Sequence, residues 1–243
     1  MSSRISICIF ALCVMIVSSC ESITRYDMMH YDGKKTDMTG EMLLASLQVD
    51  YAVFPHMKTL NDSILSYVMM GRDRGEDLLE DLYKGYMATM EYHKEEHSHD
   101  DAHMEEEEES VESSWYYTAT SNVCYSDDKY ISIDMSRRTN AYEDVLEEKR
   151  YVTWNVKEDK KAGAEDVFND IEALRNMISM LYVEDGDILS SYDSVNLFPI
   201  TDEFIIDDSG VTFLYKGEEL DLYDGGYKEV FVPLHYIEEL YKR

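Results

Sequence analysis

The sequence predicts an α+β fold, with antiparallel sheet segments packed by three main helices. Three observations carry this. Apolar residues recur one helical turn apart over about 60–69, 76–92 and 164–183. Period-two or β-rich runs mark strands near 47–54, 115–135, 150–156 and 204–232. Tight-turn signals, Ser126-Asp127-Asp128 and Asp207-Asp208-Ser209-Gly210, join neighbouring strands, which makes those pairs antiparallel.

Taken in order, Arg4 precedes an apolar run from Ile5 to Val17, too short to span a bilayer and of the length of a signal-peptide core. It ends in Val17-Ser18-Ser19-Cys20, small residues before a Cys, the pattern of a bacterial lipobox. The expectation is a signal peptide over 1–19, acylation of Cys20 and residence in the envelope of a diderm bacterium. Three acyl chains, at about 0.8 kcal/mol per buried methylene, would anchor the chain stably to the membrane. Residues 20–45 are polar and are expected to form a lipidated tether. Cys8 and Cys13 would leave with the leader, so Cys124 stands alone; between Val123 and Tyr125 it is expected to be a buried structural thiol.

The chain has 51 Asp+Glu against 22 Lys+Arg, a net charge of −29. Such a surface repels nucleic acid and anionic membrane and attracts cationic proteins, cationic peptides or divalent metals. Its 243 residues suffice for a two-part domain with a real core.

Leu47, Val49, Tyr51, Val53 and Phe54 form a strand ended by Pro55. Leu60, Ile64 and Val68 share a helix face, with Asn61 a candidate cap. In the second helix Leu79, Leu82, Tyr83, Tyr86, Met87 and Met90 line one side, and Glu76, Asp77, Glu80 and Asp81 suit its dipole. An acidic, His-rich insertion over 93–113 carries His93, His97, His99 and His103. Its charge density keeps it in water, and it is read as a solvated insertion; the alternative is weak zinc, nickel or copper binding, without the rigid surroundings a built site needs. Tyr117, Ala119 and Ser121 alternate along a hairpin that returns through Tyr130, Ile131, Ile133 and Met135, and 150–156 is a further strand. Phe168, Ile171, Leu174, Ile178 and Leu181 face inward from the third helix.

The C-terminal stretch reads as strand, tight turn, strand, shaped loop and strand. Phe204, Gly210, Val211, Phe213, Tyr215, Glu219, Tyr223, Gly226, Glu229, Val230, Val232 and Pro233 stand in the order seen in DUF3298, a domain of unknown function found in lysozyme-sensing anti-sigma factors of the RsiV type and in many bacterial lipoproteins. The strand-Pro-Leu-Asn-helix order ahead of it is similar to the companion DUF4163 domain, which also fronts a peptidoglycan deacetylase of the PdaC type. The resemblance implies two parts, 46–135 and 136–243. It also implies a non-catalytic binding role as sensor, inhibitor or adaptor, toward a cationic protein such as lysozyme or toward peptidoglycan. Where the family often carries a Gly-Gly-Ala-His turn, this chain has Ala141-Tyr142-Glu143-Asp144, and the deacetylase's catalytic domain has no counterpart.

No nucleophile elbow, phosphate-cradling Gly loop or zinc-type Cys pair is present, and no cofactor is expected. An envelope glycan hydrolase using Asp207 and Glu219 is the alternative, against their plainer roles as a turn acid and a loop acid. The partner-binding candidates are Tyr223, Asp224 and Tyr227, in the loop from Gly217 to Tyr227 that also holds Glu218, Glu219 and Asp221. Tyrosines give contact area at low entropy cost and the acids steer a cationic partner. The alternative is that Tyr223 packs beneath its own loop and the acids only solvate it.

Overall fold

The computed structural model describes residues 25–40, 42–71, 78–97, 114–141, 144–184, 198–220 and 226–242. The lipobox with Cys20, His99, His103, Tyr223 and Asp224 lie outside them. Among the described residues, no helix is long and apolar enough to cross a membrane.

The α+β expectation holds. A six-stranded sheet has strands in sequence order: β1 (Asp27–Thr36), β2 (Leu43–Val53), β3 (Trp115–Ser126), β4 (Tyr130–Ala141), β5 (Asp144–Asn155) and β6 (Lys160–Lys161). All neighbours are antiparallel except β2 and β3. A parallel pair needs a long crossover, supplied by α1 (Lys58–Val68) and α2 (Leu78–His97). Ala45, Leu47, Val49 and Tyr51, Tyr117 and Ala119, Ile131, Ile133 and Met135, and Val152 and Trp154 project from one face into a core closed by Leu60, Ile64, Val68, Leu78 and Leu82 of the helices.

Several local features depart from expectation. The tether over 20–45 contains β1, which pairs with β2 from Asp27↔Val53 to Thr36↔Leu43. Its inward side carries little apolar area, and Lys35 is held by an ion pair to Glu80 and by the Tyr83 ring. The expected boundary at 135/136 falls inside β4, because the sheet continues through β5 and β6. Asn61 does not cap its helix, which starts at Lys58. Its amide instead clips the end of β2, accepting from Phe54 N and donating to Phe54 O, both at 2.8 Å. At the other end of α1, Gly71 adopts φ +71° and returns its N–H to Ser66 O at 2.7 Å.

A three-stranded antiparallel sheet follows, of β7 (Phe204–Ile206), β8 (Gly210–Lys216) and β9 (Tyr227–Pro233). One face builds a second core from Phe204, Ile206, Val211, Phe213, Tyr215, Val230 and Val232, joined by Leu174 and Ile178. The helix expected over 164–183 is two helices, α3 (Ala164–Val167) and α4 (Ile171–Glu184). Phe168 is extended between them, bridges to Tyr241 and sets its ring against Phe204, Phe213 and Tyr241. Asp170 then restarts the helix by accepting from Ala173 N at 2.9 Å. The chain closes with α5 (Leu234–Ile237) and a 3-10 turn over Glu238–Leu240.

The two sheets meet through a polar stitch. Ile206 N donates to Ser132 Oγ (2.9 Å), and Thr153 Oγ1 donates to Phe204 O (2.8 Å). The two hydroxyls lie 3.1 Å apart, so Ser132 donates to Thr153. This chain of three bonds satisfies two β7 backbone groups where Ser132 and Thr153 have no exposure. Beside it Glu203 accepts from Tyr151 N (3.1 Å) and Lys161 Nζ (2.8 Å), with Arg150 Nε at 3.4 Å. Gly210 serves by close approach rather than by positive φ: a Cβ there would sit 2.2 Å from Val232 O.

Candidate functional site

The open face of β9 follows from its register. Phe231 pairs with Thr212, Glu229 with Leu214 and Tyr227 with Lys216, all on the side away from the second core. On that side Ile205 and Leu214 are covered by Tyr151 of the larger sheet. The β9 column is left outside: Tyr227 is 37% exposed and Phe231 43%. Leu234 and Tyr236 of α5, which follows β9 directly, are exposed as well, the latter to 52%. Phe231 and Leu234 are brought together over Gly210, whose missing Cβ would lie 3.0 Å from the Phe231 ring and 3.1 Å from Leu234 N. The backbone beneath is fixed, since Leu234 N donates to Ser209 O at 2.8 Å and Ile237 is fully buried. Acids flank both ends, with Glu218 and Glu219 in the 3-10 turn Gly217–Leu220, and Glu238 and Glu239 after α5, all exposed.

A charged cluster underlies this surface. Lys149 Nζ makes an ion pair with Glu229 and lies 5.0 Å from the centre of the Tyr151 ring. Burial alone would lower the Lys149 pKa; the hydrogen bonds to Glu229 and Tyr151 and the field of Asp134 raise it, keeping the ammonium charged. Burial pushes the Tyr151 phenol up to about 12. Asp134 Oδ1 is buried without a hydrogen-bond partner among the described residues, and burial raises the pKa of this carboxyl despite Lys149 nearby.

Of the residues expected to bind a partner, Tyr227 lies on this surface, at the start of β9, while Tyr223 and Asp224 lie outside the described residues. The loop is drawn closed by Gly217 N donating to Gly226 O at 2.6 Å. Phe231, Leu234 and Tyr236 were not expected. The period-two signal was present: with Val230 and Val232 inward, Phe231 had to face out. The carboxylates of the hydrolase alternative are both committed to turn backbone. Asp207 Oδ1 accepts from Ser209 N (2.7 Å) and Gly210 N (3.0 Å), and Glu219 Oε2 from Lys216 N (2.7 Å). The pKa of Asp207 is lowered: burial opposes this, and the bonds from Ser209 and Gly210 outweigh it. His93 and His97 fall on the last turns of α2. Among the described residues no group of three His, Cys, Asp or Glu is placed to hold a metal. Cys124 is exposed, contrary to expectation, because it continues the outward side of the β3 alternation after Tyr116, Thr118, Thr120 and Asn122.

No family model and no curated protein sequence matches the chain. Solved structures do. A DUF3298 family member from Bacteroides fragilis superposes with a TM-score of 0.62 at 14% identity, covering 91% of this chain and 96% of its own. A DUF3298 family protein from Pseudomonas aeruginosa PAO1 gives a TM-score of 0.57 at 13% identity, covering 91% and 95%. Both sheets and the helices between them thus follow a known arrangement, and the chain has the fold of the DUF3298 family proteins.

Proposed function

We propose that the chain is an exported lipoprotein acting as a non-catalytic binding module at the bacterial cell envelope, where it captures a cationic protein on the β9–α5 surface. The observation that carries this is four large apolar side chains exposed within one ten-residue stretch, Tyr227 and Phe231 on the same face of β9 and Leu234 and Tyr236 on α5, with exposed acids before and after them. Rigid aromatic anchors interleaved with exposed charge suit a binding surface, and here Glu229 stands between Tyr227 and Phe231. The acids raise the rate of encounter with a cation, while the aromatics supply the contact that holds it. The turn-bound state of Asp207 and Glu219 supports a role without catalysis. The Val17-Ser18-Ser19-Cys20 order after an apolar run supports lipidation and the envelope location, and Cys20→Ala should remove the acyl mass and release the protein from the membrane fraction.

Calorimetry with lysozyme as the cationic probe tests the binding. Phe231→Ala and Tyr236→Ala should each weaken capture about 10-fold or more, as loss of an interface aromatic does, with the melting temperature nearly unchanged because both side chains are exposed. Affinity should also fall as salt rises. No binding of lysozyme or of other cationic envelope-active proteins, or binding indifferent to both variants, overturns the proposal.

A further inference from the structure

The outward column of β9 carries one carboxylate, Glu229, set between Tyr227 and Phe231 with its side chain 44% exposed. Lys149 of β5 reaches it from the larger sheet and pairs with it. A second carboxylate lies close to the same ammonium. Across β4 and β5, Asp134 pairs with Tyr151 and Ser136 with Lys149, so Asp134 and Lys149 are diagonal neighbours on one face of the sheet. Such neighbours stand about 7–8 Å apart, a gap that a lysine side chain spans. Asp134 Oδ1 is buried without a hydrogen-bond partner among the described residues. The titratable groups around Asp134 are Lys149 and Tyr151 of β5, Glu229 of β9 and Cys124 of β3. Lys149 is the one cation among them, so two carboxylates share a single ammonium.

We infer that Glu229 is the residue that selects a cationic partner, and that Lys149 is its internal stand-in, passed to Asp134 when the partner's ammonium or guanidinium takes Glu229. This role rests on the capture of a cationic protein by the β9–α5 surface, and it names the group that reads the charge.

An acid that is already paired gains little from a new cation if its first one is left bare, because a half-buried ammonium without a counter-ion is costly. Asp134 removes that cost by offering the displaced lysine a second carboxylate on the same sheet face. Asp134 gains as well. Its carboxyl titrates above the ordinary value because burial outweighs the field of Lys149, and a lysine in direct contact would favour its charged form. After the exchange each carboxylate has its own cation. A neutral partner cannot drive this, since moving Lys149 would then leave Glu229 unpaired, and so the exchange discriminates by charge.

NMR titration of the Asp134 carboxyl in the chain beginning at Glu21 tests the transfer with no partner present, both cores lying at Ala45 and beyond. Glu229→Gln removes the present acceptor, so Lys149 should pass to Asp134 and lower its pKa by about one pH unit or more, the effect of a cation beside a carboxylate. In the Lys149→Met background the same change should lower it by less than about half a pH unit, since only the field of Glu229 is lost. Circular dichroism of each variant checks that the fold is kept. Equal changes in the two backgrounds mean that Lys149 does not move, and overturn the inference. Calorimetry with lysozyme then reads the exchange on capture. Asp134→Asn should weaken binding about 10-fold with Lys149 present and less than about 3-fold beside Lys149→Met, because Asp134 acts through that lysine. The same loss in both backgrounds makes Asp134 a general contributor to the field and overturns the inference while leaving the capture surface standing. Transfer in the titration without any binding of lysozyme by the wild type overturns the capture surface itself, and with it the part given to Glu229.

Discussion

Thr153→Val tests the stitch between the two sheets. Valine keeps the shape of threonine and removes only the hydroxyl, so packing changes little. Two hydrogen bonds are lost, the donation to Phe204 O and the acceptance from Ser132. Each is worth about 1 kcal/mol net, and a buried carbonyl left without a donor costs about 1–3 kcal/mol. Thr153 and Phe204 have no exposure, so water does not step in. The expected loss is about 3 kcal/mol in urea unfolding. Ser132→Ala strands Ile206 N and should cost a similar amount. The double variant should cost less than the two losses added, with a coupling of about 1 kcal/mol, because both changes break the shared bond. Trp115 and Trp154 both belong to the larger core, so fluorescence follows that core alone while circular dichroism follows both. The two transitions should coincide in the wild type and draw apart in Thr153→Val. A loss below about 0.5 kcal/mol, or strict additivity, would refute the reasoning.

Other outcomes follow from single groups. The pKa of Asp134 is raised in the folded protein, so its ionisation opposes folding as pH rises through that value. Asp134→Asn should therefore stabilise the protein at neutral pH, and the gain should vanish below the ordinary carboxyl value of 3.8; chemical unfolding across that range checks it. Gly210→Ala places a Cβ against the Val232 carbonyl, within 2.2 Å, and should cost about 3 kcal/mol by displacing β8 from β9. A melting temperature unchanged in that variant would mean the strands are not this close.

The core strands were legible because their side chains obey a period of two against a greasy layer: Leu47, Val49 and Tyr51, or Ile131, Ile133 and Met135. β1 was not, because its inward positions run Asp27, Met29, Tyr31, Gly33 and Lys35, of which Tyr31 alone packs on the core, and backbone pairing and an ion pair hold the rest. The break at Phe168 was hidden inside a continuous helical period. It is imposed by Tyr241, far along the chain, which no local pattern records. At the candidate surface the loop tyrosines stood out by composition, but Phe231 was concealed in the run Val230-Phe231-Val232, which reads as uniformly buried until it is set in register with β8. Cys124 differs from expectation because it follows Thr120 and Asn122 on the outward side of β3, a phase that its neighbours Val123 and Tyr125 conceal.

The central claim is that the β9–α5 surface is what a partner touches. Hydrogen exchange of the chain from Glu21, with and without saturating lysozyme, reads this most directly. Added protection should appear in peptides covering Tyr227 to Leu240, fade at high salt, and be absent in Phe231→Ala with Tyr236→Ala. Protection confined to other segments, or none in Tyr227 to Leu240 while the complex persists, would contradict it.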